Sequence, residues 1–341
     1  MEMAPPGGIA VVYNAWHPGG GPRGAEREAD ESVARDARAV RDALLARGRR
    51  AYLLPMRRSA AGCIRRLAAS RPALVFNLCE GAMGESRYEM HACALFELLG
   101  IPHTGCGPLA IGLALDKALA KALFAAAAVP TPPYFLYAGE PAPPFPPGMR
   151  FPLFVKPARE DASIGIGPGS LVRDRRGLRA RCAWIRERYR QPALVERYVE
   201  GREVNVSILG GRRPLVLPVS EIDMAAMPRG APRICDYRAK WVPGSEEYAR
   251  TVPRCPAPLA RAEEARVKKA ALAAYGALSC DGYARVDMRL ARDGVPYVLE
   301  VNPNPCIAPD AGLARSAAAA GMAYPDLICR IADAAPPRGR G

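Results

Sequence analysis

Histidine is nearly missing from this chain: only His17, His91 and His103 occur among 341 residues, each isolated in sequence. That leaves little material for a His-centred metal site or a Ser-His-Asp triad. The ten cysteines include no CxxC pair, so the spacing of a structural zinc site is absent. Several of them (Cys93, Cys182, Cys329) fall in apolar patterns, where a free thiol behaves as a small buried hydrophobe. That usage points to a reducing, cytoplasmic setting. Membrane signals are also lacking. The apolar run at 118–129 is interrupted by Lys121 and too short to span a bilayer, and MEMAPPGGIAVVYNAW has no charged leader or export cleavage pattern. Aromatics are 7% of the chain and do not cluster with arginine, so the net charge of +14 reads as a basic surface suited to anionic substrates, not as a nucleic-acid footprint.

Half of the residues are hydrophobic, enough for a large core in one big domain or two to three smaller ones. GIAVVY (8–13), Ala51–Pro55 and ALVFNL (73–78) read as strands, with helices expected at about 26–47, 63–69 and 86–99 and a short strand at 101–104. This β-α-β-α-β order predicts a parallel sheet with helices on its faces, in a first domain at 1–105. A helix over 106–128, the strand FPLFVKP and a glycine loop form a second domain at 106–192. A third, at 193–335, runs from VERYV and EVNVSILGG through a strand at PLVLPVSEI, an irregular 224–258 and a helix at 259–278 to a hairpin and a terminal helix at 311–333. The tail at 336–341 reads as disordered. The fold class is α/β, turning to α+β in the C-terminal half.

The richest stretch is YARVDMRLARDGVPYVLEVNPNP, 283–305. Two strands joined at Asp293-Gly294, a dipeptide suited to a positive-φ hairpin turn, alternate their side chains between faces. Arg285 and Asp287 then share one face of the first strand, and Glu300 and Asn302 one face of the second. One cation among three oxygen donors suits Mg²⁺ and the phosphates it carries. Lys156 ends an apolar strand, a costly place for an ammonium unless an anion meets it, and IGIGPGS follows as a loop whose N–H groups can face phosphate. Glu196 and Glu203 flank a glycine turn, and taken alone they read as two surface glutamates beside Arg197 and Arg202, the other reading being acceptors of the kind an adenine amine and ribose hydroxyls need. Lys117 and Lys240, taken alone, read as solvated lysines.

A strand lysine, a glycine loop, ExxxxGxE and RxD…ExN, in this order, resemble the ATP-grasp superfamily, and within it the D-alanine–D-alanine ligase family, over about 73–333. The resemblance implies a three-domain ATP-grasp fold and an ATP-dependent carboxylate–amine ligase. Such an enzyme activates a carboxylate as an acyl phosphate, joins it to an amine, and releases ADP and phosphate. Lys117 and Lys156 would contact the ATP phosphates and Ser163 also ATP, Glu196 and the backbone near Val199 its adenine, and Glu203 its ribose. Asp287, Glu300 and Asn302 would bind two Mg²⁺ (or Mn²⁺). Arg285 would steady the transferred phosphoryl group, Lys240, followed by Trp241, would sit on a mobile loop, and Glu31, near Glu28 and Asp30, would meet the substrate amine. Partners would be amino-acid-like substrates, with a homodimer as the implied assembly and the cytoplasm as the location. The alternative is a nucleotide-binding ATP-grasp protein without turnover. Where the family has a glycine after its Asn-x-x-Pro run, this chain has Cys306. Ala311-Gly312 replaces Ser-Leu, Ala162 a serine, and Glu80-Gly81 His-Gly.

Overall fold

The computed structural model describes residues 7–15, 25–57, 60–83, 85–161, 163–228, 230, 232–242 and 244–336, without side chains at 25–31 and 241. The first third alternates β1 (Ile9–Asn14), α1 (Ala25–Ala46), β2 (Ala51–Met56), α2 (Ala60–Ser70) and β3 (Leu74–Leu78). The strands lie in the order β2-β1-β3 and all run parallel, as expected. Strand alternation explains the two-sided cover. Ile9 and Val11 pack with Val40 and Leu44 of α1 on one face, while Ala10 and Val12 pack with Cys63 and Leu67 of α2 on the other. A short 3-10 turn at Ser86–Tyr88 leads into α3 (Glu89–Leu98). The strand expected at 101–104 is reduced to a single bridge between Val75 and His103. Pro102 has no N–H to give a ladder, and Gly105, at φ +84°, turns the chain away.

The helix expected over 106–128 is two helices, α4 (Pro108–Leu115) and α5 (Lys117–Ala126). Asp116 breaks it: its backbone is extended and its side chain accepts from Leu119 N at 3.2 Å, capping α5. The break starts a fresh helix at Lys117, which fixes where Lys117 and Lys121 point. A four-stranded antiparallel sheet follows, in the order β4-β7-β5-β6, from β4 (Tyr134–Tyr137), β5 (Leu153–Pro157), β6 (Leu171–Val172) and β7 (Ala193–Arg197). The helix α6 (Arg175–Tyr189) covers it with Leu178, Cys182 and Ile185. β7 lies past the boundary expected at 192, yet it sits between two strands of this second sheet.

The third sheet runs β11-β10-β8-β12-β13, with β9 paired to β8. It is built from β8 (Gly201–Leu209), β9 (Leu215–Val216), β10 (Ser220–Asp223), β11 (Val252–Arg254), β12 (Ala284–Ala291) and β13 (Pro296–Asn302), with α9 (Arg261–Ala277) packed on it. The stretch expected to be irregular carries two short helices, α7 (Tyr237–Trp241) and α8 (Glu246–Ala249), besides β11. The terminal helix divides into α10 (Gly312–Ala319) and α11 (Tyr324–Asp333), because Gly321 turns at φ +80° and Pro325 opens the second helix. Residues 337–341 of the expected tail lie outside the described residues.

The β12–β13 hairpin forms where the sequence predicts it, with a different turn. Only Gly294, at φ +78°, has positive φ; Gly294 N and Ala291 N bond to Ala291 O and Val295 O respectively. That is a three-residue loop closed by a glycine bulge, not a two-residue turn. A second irregularity shifts the register after Asp287, so Asp287 faces Glu300 while Met288 faces Val298.

Candidate active site

The hairpin register sets the site. Arg285 is opposite Asn302, and Asp287 is opposite Glu300. Across the other edge of β12, Asp287 faces Asn205 and Arg285 faces Ser207 of β8. Two carboxylates directly opposite on neighbouring strands repel, so this pair needs cations nearby. The chain supplies them. Arg285 grips Asp287 with both arms, Nε to Oδ1 at 2.7 Å and Nη2 to Oδ2 at 2.8 Å, which raises the guanidinium pKa further. Lys117 Nζ reaches Glu300 Oε2 at 3.4 Å and Asp161 Oδ1 at 2.7 Å. Burial works to raise the Glu300 carboxyl, but Lys117, Lys156, Lys240 and Arg285 overcome it and lower the pKa to about 2. Burial likewise works to lower Lys117, and Asp161 and Glu300 reverse it, so this ammonium is held more firmly than a free lysine. Asn302 Oδ1 accepts from Asn304 N at 3.1 Å, which orients the amide.

A second cluster lies between α5 and the second sheet. Glu196 is 2% exposed and takes Lys121 Nζ on Oε1 at 2.5 Å and Lys156 Nζ on Oε2 at 3.1 Å. Burial raises the Glu196 carboxyl and the two ammonium groups more than compensate, leaving it below its ordinary value. Lys156 is therefore buried against a carboxylate, as the strand-end position demands. Val199 is buried in the turn after β7, and Glu203 pairs with Arg289 Nη2 at 3.2 Å. Ser163 Oγ donates to Cys235 O at 3.1 Å, tying the glycine loop to the segment that carries Lys240. Tyr237 N also donates to Ile166 O, at 3.4 Å.

The structure thus gathers Lys117, Arg285, Asp287, Glu300 and Asn302 in one cluster and Lys156 and Glu196 in the adjoining one, with Lys240 near enough to lower Glu300. Lys117 corrects the reading of a solvated helix lysine: it is 3% exposed. Glu31 lies on α1 where side chains are outside the described residues. Three contributors escaped the sequence reading. Lys121 shares the Lys117 face of α5 at four-residue spacing, Arg289 continues the 285, 287 alternation of β12, and Asp161 belongs to the glycine loop. The first two carried a periodic signal. Asn304 is a further link: Nδ2 donates to Cys79 O at 3.1 Å and to Glu89 Oε1 at 3.2 Å, and Oδ1 accepts from Tyr283 at 2.8 Å. It joins the hairpin's end to the end of the first sheet.

Known proteins share this plan. The family description "D-ala D-ala ligase C-terminus" matches residues 147–333. A D-alanine–D-alanine ligase from Anaeromyxobacter sp. (strain Fw109-5) is 34% identical over 340 residues, covering 96% of each chain. The chain belongs to the D-alanine–D-alanine ligase family. An uncharacterized protein of Sinorhizobium fredii, y4sG, is 36% identical over 268 residues, 78% of this chain and 76% of its own. Among solved structures, the D-alanine–D-alanine ligase of Bacillus anthracis complexed with ATP superposes with a TM-score of 0.73 at 25% identity, over 96% of this chain and 97% of that one. This ligase-family chain has the ATP-grasp fold and is an ATP-dependent carbon–nitrogen ligase. No helix among the described residues is long and apolar enough to cross a membrane.

Proposed function

We propose that the ligase phosphorylates a substrate carboxylate with ATP and joins the acyl phosphate to the amine of an amino-acid-like substrate, releasing ADP and phosphate. The observation that carries this reading is the register that sets Asp287 opposite Glu300 and Arg285 opposite Asn302, with Lys117 beside them. A carboxylate is a poor acyl donor because its leaving group would be oxide. Both the phosphorylation and the later amine attack build negative charge, so positioned cations lower both barriers. Arg285 is placed to steady the phosphoryl oxygens and then the oxyanion. Lys117, Lys156 and Ser163 contact the nucleotide, Glu196 and the Val199 backbone hold adenine, and Glu203, steadied by Arg289, takes the ribose hydroxyls.

Asp287, Glu300 and Asn302 form an all-oxygen donor set, the chemistry Mg²⁺ requires, with Arg285 and Lys117 on the two carboxylates in this structure. Two Mg²⁺ held there would supply neutralisation of the triphosphate charge. Lys240 closes over the substrates from the segment tied to Ser163. The chain divides into domains near 105 and, because β7 belongs to the second sheet, between β7 and β8 near 200, with an enzyme acting in the cytoplasm.

A phosphate-release screen over pairs of D- and L-amino acids, with ATP and Mg²⁺, tests the reading. Pair-dependent phosphate and ADP in equal amounts are expected. Nucleotide binding without release by any pair would favour the turnover-free alternative.

A further inference from the structure

Lys121 has no place in the function just described, and its setting is costly. Its side chain is fully buried, with Nζ 2.5 Å from Glu196 Oε1 and 2.6 Å from Thr131 Oγ1. The Thr131 hydroxyl donates a hydrogen bond to Val298 O, on the β12–β13 hairpin, at 2.8 Å. The Tyr134 ring lies 5.6 Å from Nζ, and Tyr134 is fixed by its hydroxyl bond to Ala118 O at 3.0 Å. Burial, the largest influence, together with the nearby Lys156, lowers the ammonium to about 8, against the pull of Glu196. A buried ammonium used only to fill space is readily replaced by an apolar side chain of similar length, so a three-contact ammonium calls for a task.

We propose that Lys121 is the positioning residue of the nucleotide-base site, holding Glu196 by Oε1 so that Oε2 stands beside Lys156 Nζ as the acceptor–donor pair that selects adenine. The proposal rests on the reading of Glu196 as an adenine contact. Oε2 and the Lys156 ammonium lie 3.1 Å apart, an acceptor next to a donor. Adenine presents the complement, an amine donor next to the N7 acceptor, whereas a 6-oxopurine presents two acceptors. Without Lys121, the carboxylate keeps Lys156 as its one cationic partner among the described residues and turns both oxygens onto it, so the acceptor is lost. The Thr131 hydroxyl sets the Lys121 rotamer and fastens it to β13, which ties the base site to the phosphate site.

The test is steady-state ADP or IDP release with ATP and with ITP, which carries a carbonyl oxygen where ATP carries the amine. Wild type, Lys121→Met and Thr131→Val are compared. Truncating one partner of a buried ion pair costs roughly tenfold or more in affinity. Lys121→Met should raise the KM for ATP about tenfold, with a smaller effect on kcat, and cut the ATP:ITP preference in kcat/KM by about the same factor. Thr131→Val should move the ratio the same way, by about two- to threefold. A merely structural lysine lowers Tm and leaves that ratio alone. Folded variants with the wild-type ratio overturn the proposal while the base site stands, and if Lys121→Met does not fold, an unchanged ratio in Thr131→Val does so. Wild type that turns over ITP as well as ATP would overturn the Glu196 base site itself.

Discussion

Replacing Arg285 by methionine removes one positive charge from the face where Asp287, Glu300 and Asn302 meet. The guanidinium lies 2.7 and 2.8 Å from the two Asp287 oxygens, with Glu300 opposite Asp287. A unit charge about 4 Å from a developing anion is worth roughly 4 kcal/mol at an effective dielectric of about 20. Donors aimed at transition-state charge give similar losses on removal, about 3–4 kcal/mol. The expected fall in kcat for Arg285→Met is therefore roughly 100- to 1,000-fold, with KM for ATP changing less than about tenfold. Arg285→Lys keeps the charge and loses the two-armed grip, so it should recover only part of the rate. Asp287 is left without its partner but still reaches water, its side chain being 18% exposed, so Tm should fall by only a few degrees. Coupled ADP-release kinetics read the rate, and thermal unfolding shows that the variant is folded. A folded Arg285→Met with kcat within about threefold of wild type would refute the electrostatic argument.

Asn302→Ala removes an oxygen donor whose amide Asn304 orients, and should lower kcat at least about tenfold in the same assay. Asp161→Asn frees Lys117 from a partner 46% exposed, so KM for ATP should fall about two- to threefold, seen in ATP titrations of the rate. Glu300 is lowered to about 2 in the folded chain and sits near 4.5 when unfolded. Between those values the unfolded chain binds the extra proton, so the Glu300 contribution is present above pH 4.5 and drains away as pH falls towards 2. Urea unfolding across that window should show the loss, flattened in Glu300→Gln. Lys121 has the opposite sign. The folded chain gives up its proton near pH 8 and the unfolded chain near 10.5, so its burial penalty fades as pH rises through that window and stability gains. Lys121→Met should remove that gain in the same unfolding series.

Much of the site was legible because strands impose a period of two. Arg285 and Asp287, and Glu300 and Asn302, could be placed on faces from spacing alone, and the hairpin register confirms those faces. Asp116 carried a capping signal in the middle of an apolar helical pattern; helix periodicity outweighed it in the reading, and the break that aims Lys117 inward was missed. Gly294 was the right turn residue, but turn length depends on the bonds Ala291 makes, which dipeptide chemistry does not specify. Contacts across the chain were the hardest to see. Lys121 meets Glu196 over 75 positions and Asn304 meets Cys79 over 225, separations no local pattern encodes. PLVLPVSEI read as one strand, whereas β9 and β10 are separated by Leu217, Pro218 and Val219, with proline denying a ladder bond.

In the proposed reaction a carboxylate oxygen accepts the phosphoryl group of ATP, and isotope transfer reads that step. The amino acid that drives phosphate release in the pairwise screen is labelled with ¹⁸O in its carboxylate and turned over with ATP and its amine partner. One ¹⁸O atom is expected in each released phosphate, with ADP as the nucleotide product. Unlabelled phosphate at full turnover, or AMP and labelled AMP chemistry in place of ADP, would contradict it.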